Sequence, residues 1–330
     1  MPNRRTFVAL AAGTLFPMAA AVRAQGAGKT RRIGFLSLFS RGDMEAFLTQ
    51  VRPELAKLGW VDGRNIEVLE PRTTEGSSDG LPAAAAELVA QRPDMILVQT
   101  LPATRALMQA TKSIPIVMVG VGNPVELGIV TDYRKPGGNV TGSSFMANEY
   151  AAKLLQVLKE AAPQLRSVAL FTNPSNEAAT SAVRQMRANA LALGMQVQVI
   201  EVRGKDDLEP AFAVIRGAST QSILLPPEPL VLSMRDAIAA FAQTHGLPLA
   251  VVGRSRFLPA AGLVAFGPAQ EEYAQLAVRY INEILKGARP GDLAIEQTTR
   301  FNLAINLKTA KALGLTIPQS LLVRADELIR

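Results

Sequence analysis

Hydroxyl, amide and proline side chains recur at one kind of place in this 330-residue chain, directly after a short apolar run and directly before a helical one. Met95-Ile96-Leu97-Val98 gives way to Gln99-Thr100-Leu101-Pro102-Ala103-Thr104. Comparable junctions follow at Ser37-Leu38-Phe39-Ser40, Val121-Gly122-Asn123-Pro124, Thr172-Asn173-Pro174-Ser175-Asn176, Pro226-Pro227-Glu228-Pro229 and Gly253-Arg254-Ser255. An apolar run ended by hydroxyls and a proline is how a parallel strand hands its carboxyl end to a helix amino terminus. In open α/β sheets ligands sit at that junction. The unpaired N–H groups of the first helical turn and the positive end of its dipole favour an anionic oxygen there. One such threonine alone more often only caps a helix. The repetition of the junction is what points to a site for a small polar molecule.

Catalytic chemistry would need tools that the sequence does not offer. There is no cysteine, and the single histidine, His245, lies in a Thr-His-Gly-Leu-Pro turn that reads as a helix end. A transition-metal ligand set is therefore not expected, and no cofactor is. Gly120-Val121-Gly122 follows a strand, but Val125 stands where a dinucleotide fingerprint needs its third glycine, and no acid follows at the required spacing. No G-x-S-x-G elbow occurs. Asp206-Asp207 and Glu271-Glu272 read as acids in the first turns of helices. Gly26-Ala27-Gly28-Lys29-Thr30 imitates the tail of a P-loop but precedes its strand when it should follow one.

The elements that must position these junctions alternate along the chain. Strands are predicted at 33–38, 65–72, 95–100, 116–121 and 140–144, with helices at 44–58, where Pro53 should kink or split the run, and 81–90. A second series has strands at 168–172, 196–202, 222–225 and 249–252 and helices at 149–162, 178–193, 208–216 and 231–245. A tail follows with strand 263–266, helix 270–286, one extended piece 295–305 and helix 307–313. Strands separated by helices imply right-handed crossovers and parallel sheets. Two such halves describe a two-lobed α/β protein, and the tail is too short for a core of its own.

Composition bounds the class. Hydrophobic residues make up 48% and charged residues 19%, a globular balance. Met1 to Ala24 reads as an export signal: Arg4-Arg5 precede an apolar run from Val8 to Val22, and Val22-Arg23-Ala24 gives a small-x-small cleavage site. Asn3-Arg4-Arg5-Thr6-Phe7-Val8 also resembles the twin-arginine signal, without its usual later lysine. Gly13 and Pro17 and the short length speak against a retained membrane anchor. The formal net charge of +7 falls to +4 once the three arginines of this segment are removed. The remaining bases are scattered among acids, so nucleic acid is not an expected partner.

Several phrases resemble the exported substrate-binding proteins of ABC transporters, in the family that includes proposed tryptophan and tyrosine binders. They are Leu58-Gly59-Trp60-Val61-Asp62-Gly63-Arg64-Asn65-Ile66, Pro115-Ile116-Val117, Val119-Gly120-Val121-Gly122-Asn123-Pro124-Val125, Pro136-Gly137-Gly138-Asn139-Val140-Thr141-Gly142 and the run from Phe301 to Pro318. The resemblance covers essentially the whole chain after the export signal. It implies a type I periplasmic-binding-protein fold: two Rossmann-like lobes with parallel sheets, joined by a multi-segment hinge and closing over a ligand that passes to a membrane permease. By family topology one lobe is expected at 31–145 plus 268–290 and the other at 146–267 plus 291–330. Thr100, Thr104, Asn123 and Ser144 match the family's cleft-facing segments in the first lobe, and Asn173, Ser175 and Glu228 match those in the second. Glu228 stands where the family often has an aspartate between prolines. Ser37, Pro102, Gly122 and Arg254 complete the expected ligand-binding set, with Phe39 as an apolar wall.

The expected function is that of a periplasmic, monomeric solute-binding protein for an amino acid or close analogue. Thr100, Thr104 and nearby N–H groups would hold its carboxylate, and Glu228 its amine. A ligand sensor for a signalling receptor is the alternative, and an α/β enzyme a more distant one. A sugar-responsive transcription regulator of the same fold would carry a helix-turn-helix where this chain has its export signal.

Overall fold

The computed structural model describes residues 30–145, 147–176, 179–253 and 255–330. The proposed export signal, the Gly26 to Lys29 part of the P-loop imitation and Arg254 lie outside them. In chain order the first half holds β1 (Arg31–Ser37), α1 (Arg41–Lys57), β2 (Ile66–Val68), β3 (Arg72–Thr73), α2 (Leu81–Ala90), β4 (Met95–Val98), α3 (Leu101–Ala110), β5 (Ile116–Gly122) and β6 (Val140–Phe145). The second series holds α4 (Ala147–Ala161), β7 (Ser167–Thr172), α5 (Ala179–Ala192), β8 (Gln196–Glu201), α6 (Leu208–Gly217), β9 (Ile223–Leu225), α7 (Pro229–Ser233), α8 (Arg235–Thr244), β10 (Leu249–Val252) and β11 (Val264–Pro268). The tail adds α9 (Gln270–Leu285), β12 (Glu296–Gln297), β13 (Phe301–Asn306), α10 (Leu307–Ala312), α11 (Gln319–Arg324) and β14 (Glu327–Ile329).

Two seven-stranded sheets result. One has the order β12-β6-β5-β4-β1-β2, with β3 also on β1, and the other β14-β13-β11-β10-β9-β7-β8. Every pairing in the first is parallel, and in the second only β11 with β13 is antiparallel. Strands covered by helices on both faces are apolar at every position. In β4, Met95 and Leu97 pack towards α1 and α9, while Ile96 and Val98 pack towards α2 and α3. The second sheet divides its core in the same way, with α4 and α5 on one face and α6 to α8 on the other.

Several expectations are corrected. Pro53 does not split its helix: α1 runs on through it, held by Met44, Phe47, Leu48, Val51 and Leu55, all buried. The single strand expected at 65–72 is two short strands, since Glu70 and Pro71 stand between β2 and β3 and proline cannot donate to a ladder. The helix expected at 231–245 breaks at Met234 into α7 and α8. The one extended piece expected at 295–305 is two strands: β12 pairs with β6 in the first sheet, and β13 with β11 in the second.

The chain passes between the sheets three times: after β6, between β11 and α9, and between β12 and β13. An aromatic cluster gathers these passages. Tyr150 lies 5.9 Å from Phe145, 6.1 Å from Phe266 and 5.8 Å from Phe301, centroid to centroid. Its hydroxyl sits 3.3 Å from the Thr298 carbonyl and 3.2 Å from the Thr298 hydroxyl.

Candidate functional site

The carboxyl ends of both sheets face one cleft of about 200 Å³. Phe39 after β1, Thr100 and Pro102 at the start of α3, and Gly122 at the end of β5 line it from the first sheet. Thr172 at the end of β7 and Glu228 after β9 line it from the second. The two sides touch across it: Phe39 stacks on Phe257 at 5.5 Å with the rings 20° apart.

Thr100 is the most constrained of these residues. It is the N-cap of α3 yet makes no side-chain cap bond, and its backbone sits at φ 78°, ψ 146°. A β-branched residue there carries strain on the order of 1–3 kcal/mol. Its hydroxyl oxygen is buried without a partner among the described residues. Buried hydroxyls are nearly always paired, so an unpaired one on a cleft wall stands out. Pro102, within the first turn, has no N–H, which leaves Leu101 and Ala103 to present theirs at the helix end.

Glu228 faces the cleft but is tied to its own element. Its Oε2 accepts from the Val231 N–H at 2.9 Å, capping α7, and its Oε1 accepts from Asn173 Nδ2 at 3.5 Å. Burial pushes its carboxyl above the ordinary carboxylate range, and the hydrogen bonds oppose that only in part. Among the described lining residues there is no Lys, Arg or His, so a bound anion would be met by hydroxyls, amides and N–H groups. No group of three or more His, Cys, Asp or Glu among the described residues could hold a metal ion.

The other expected residues among those described do not line the cleft. The Ser37 hydroxyl donates to Gln99 Oε1 at 3.3 Å and accepts from the Phe39 N–H at 3.1 Å, which fixes the turn that presents Phe39. Thr104 lies one turn inside α3 and does not reach the cleft, because its hydroxyl donates to the Thr100 carbonyl at 2.8 Å. The backbone carbonyl of Ser144 accepts from the Thr298 N–H at 3.0 Å, fastening β12 to β6. The carbonyl of Asn123 accepts from Leu127, and Asn173 Oδ1 accepts from the N–H of the exposed Ser175, so both asparagines shape their own turns.

Sequence reasoning did not find Tyr273 and Phe171, or Met186 and Asn189 on α5, all of which line the cleft, whereas Asn176, which also lines it, belongs to one of the junctions the sequence marks. Tyr273 comes from α9, far along the chain. The signal for it was Gly120: at φ 68°, a Cβ there would lie 2.7 Å from the Tyr273 ring. This glycine serves close packing of a helix on β5, and not a nucleotide phosphate.

A family model described as ABC transporter substrate binding protein matches residues 33–329. The chain belongs to that family. A tyrosine-binding protein of Clostridioides difficile (strain R20291) is 24% identical over 289 residues, covering 87% of this chain and 82% of that protein. The ABC domain in complex with L-Trp from Streptococcus pneumonia superposes with a TM-score of 0.82 at 24% identity, covering 91% of this chain and 100% of that one. A ligand-free, open substrate binding protein with adhesive properties from Clostridium difficile gives a TM-score of 0.65 at 23% identity, with 91% and 99% covered. The fold is that of type I periplasmic binding proteins, and the family and these neighbours are solute-binding proteins, not enzymes. No helix among the described residues is long and apolar enough to cross a membrane.

Proposed function

We propose that the protein is the exported, periplasmic solute-binding component of an ABC importer. In this reading it captures an amino acid with a large apolar side chain, or a close analogue, and delivers it to a membrane permease without covalent change. The observation that carries it is the cleft between the two sheets, where Thr100 offers an unpaired buried hydroxyl beside mostly apolar walls. The ligand's carboxylate sits against the Thr100 hydroxyl and the Leu101 and Ala103 N–H groups. Thr104 takes no part, since its hydroxyl is committed to the Thr100 carbonyl. Glu228 faces the ligand's amine from the other side. The two lobes are built on the two sheets, the first taking α9 and β12 from the tail and the second the remainder, and the three passages between the sheets serve as the hinge. Contacts made to both sides at once favour the closed form. The tyrosine-binding relative and the L-Trp complex support an aromatic amino acid, and the Met1 to Ala24 pattern supports export.

Calorimetry and thermal shift on the chain lacking Met1 to Ala24, against all amino acids, small aromatic carboxylates and sugars, test this. At a hundred times its dissociation constant the preferred amino acid adds about 2.7 kcal/mol of stability. A panel in which no amino acid stabilises the protein overturns the reading, as does chemical turnover of one that does.

A further inference from the structure

The cleft does not end at the strand termini. Past Phe145 it continues beneath α5, walled by Ala151 of α4, Leu170 of β7, Val183 and Met186 of α5 and Val252 of β10. All of these belong to, or pack against, the core on that face of the second sheet. Protein interiors are close-packed, so an apolar gallery that opens from a ligand cleft into a core layer is space the fold itself does not require. Ala151 is the smallest of the wall residues and keeps the gallery open between the two helices. Met186 offers a polarisable thioether that suits an aromatic edge. The exposed Gln185 and the half-buried Asn189 stand one turn apart on α5 in the same lining, with Gln185 Nε2 donating to Asn189 Oδ1 at 3.5 Å.

We propose that this gallery is a side-chain subsite for the planar, apolar arm of the ligand, and that the Gln185 and Asn189 amides read a hydrogen-bonding group at the arm's far end, as a phenolic hydroxyl would supply. The assignment deepens the amino-acid reading above and rests on it. It excludes charged arms, because the described wall residues carry no ion to pair with them. It also ranks ligands: a methyl side chain leaves the gallery empty, a benzyl fills it, and a hydroxybenzyl both fills it and meets the amides.

The test uses the full mature chain, its Ala151→Trp and Asn189→Leu variants, and four probes: L-tyrosine, L-phenylalanine, L-alanine and p-cresol. Binding is followed by calorimetry and by the methyl resonance of Met186, assigned through Met186→Leu. L-Tyrosine and p-cresol are expected to shift that methyl, and L-alanine not to. Ala151→Trp, with folding checked by circular dichroism, should weaken L-tyrosine more than about tenfold. Asn189→Leu should cut the preference for L-tyrosine over L-phenylalanine about tenfold. Should Ala151→Trp misfold, the Met186 shift in the unaltered protein decides alone. L-Tyrosine that binds without moving the Met186 methyl, or with unchanged affinity in Ala151→Trp, overturns the subsite and leaves the amino-acid reading standing. p-Cresol that shifts Met186 while no amino acid binds does the reverse. A protein that answers none of the probes overturns both.

Discussion

Glu228 is pulled in opposite directions by burial and by its role as the cap of α7. Its carboxyl is held above the ordinary glutamate value of 4.5, with burial the largest cause. A carboxyl with a raised folded pKa holds its proton more tightly in the folded state, so ionising it costs stability. That contribution is fully present below about pH 4.5, is lost as pH rises through the folded value, and is flat beyond it. Glu228→Gln keeps an acceptor for the Val231 N–H and removes the ionisation. Urea unfolding of both proteins from pH 4 upward should show the unaltered chain losing stability relative to the variant over that window; parallel curves count against the assignment. Glu228→Ala removes the cap as well and should cost about 1 kcal/mol at low pH. Thr100 gives a complementary expectation. Thr100→Gly relieves the strained backbone and should raise the stability of the ligand-free protein by about 1 kcal/mol, while binding weakens for want of the hydroxyl. Weaker stability with unchanged affinity would show that the hydroxyl serves the fold and not the ligand. The sequence marks the junctions that reach the cleft, and Phe39, Thr100, Pro102, Gly122 and Glu228 do line it. It does not mark which way each hydroxyl turns. Ser37 and Thr104 carry the same local signal and spend it on the backbone and on Gln99.

Elements were legible where burial on both faces leaves an unmixed apolar run, as in β4, β5 and β10. They were illegible where pairing decides. β12 is two residues long and exists because β6 offers it an edge, while β13 finds an antiparallel partner in the other sheet. α11 and β14 escaped notice for a related reason: each is short, and β14 is a strand only through its parallel partner β13. Between β12 and β13 the chain passes Tyr150, which binds that passage by a hydroxyl and the other two by ring contacts. Tyr150→Phe keeps the rings and removes the hydrogen bond to Thr298. The expected loss is about 1 kcal/mol in global stability, with faster amide exchange confined to residues 298–300. Unchanged exchange there would mean that Glu272, which accepts from the N–H groups of Thr299 and Arg300, holds the passage alone. Because Phe145 both stacks on Tyr150 and lines the cleft, the cluster ties the cleft wall to all three passages.

At the scale of the whole molecule, the structure shows the two sheets in contact across the cleft, and one glycine reports on that contact. Gly76 follows β3 on the first sheet, and a Cβ built there would lie 3.0 Å from the Cα of Leu230, in α7 beside the second sheet. Backbone cannot yield as a flexible side chain can, so Gly76→Ala should hold the sheets apart by a few tenths of an ångström or more. Gly76 also has φ 97°, and an alanine there carries a local backbone penalty of about 1 kcal/mol whatever its surroundings. Gly63→Ala separates the two effects, because Gly63 has φ 77° but nothing within 4 Å of its added Cβ. Both variants should lose similar stability without ligand. If the ligand acts by favouring the closed arrangement, only Gly76→Ala should also lose affinity, chiefly through faster dissociation, and show a smaller decrease in radius of gyration by X-ray scattering when saturated. Equal affinity in the two variants would mean that binding does not require the Gly76 and Leu230 surfaces to meet, and that the clamp closes on fewer contacts than the structure displays.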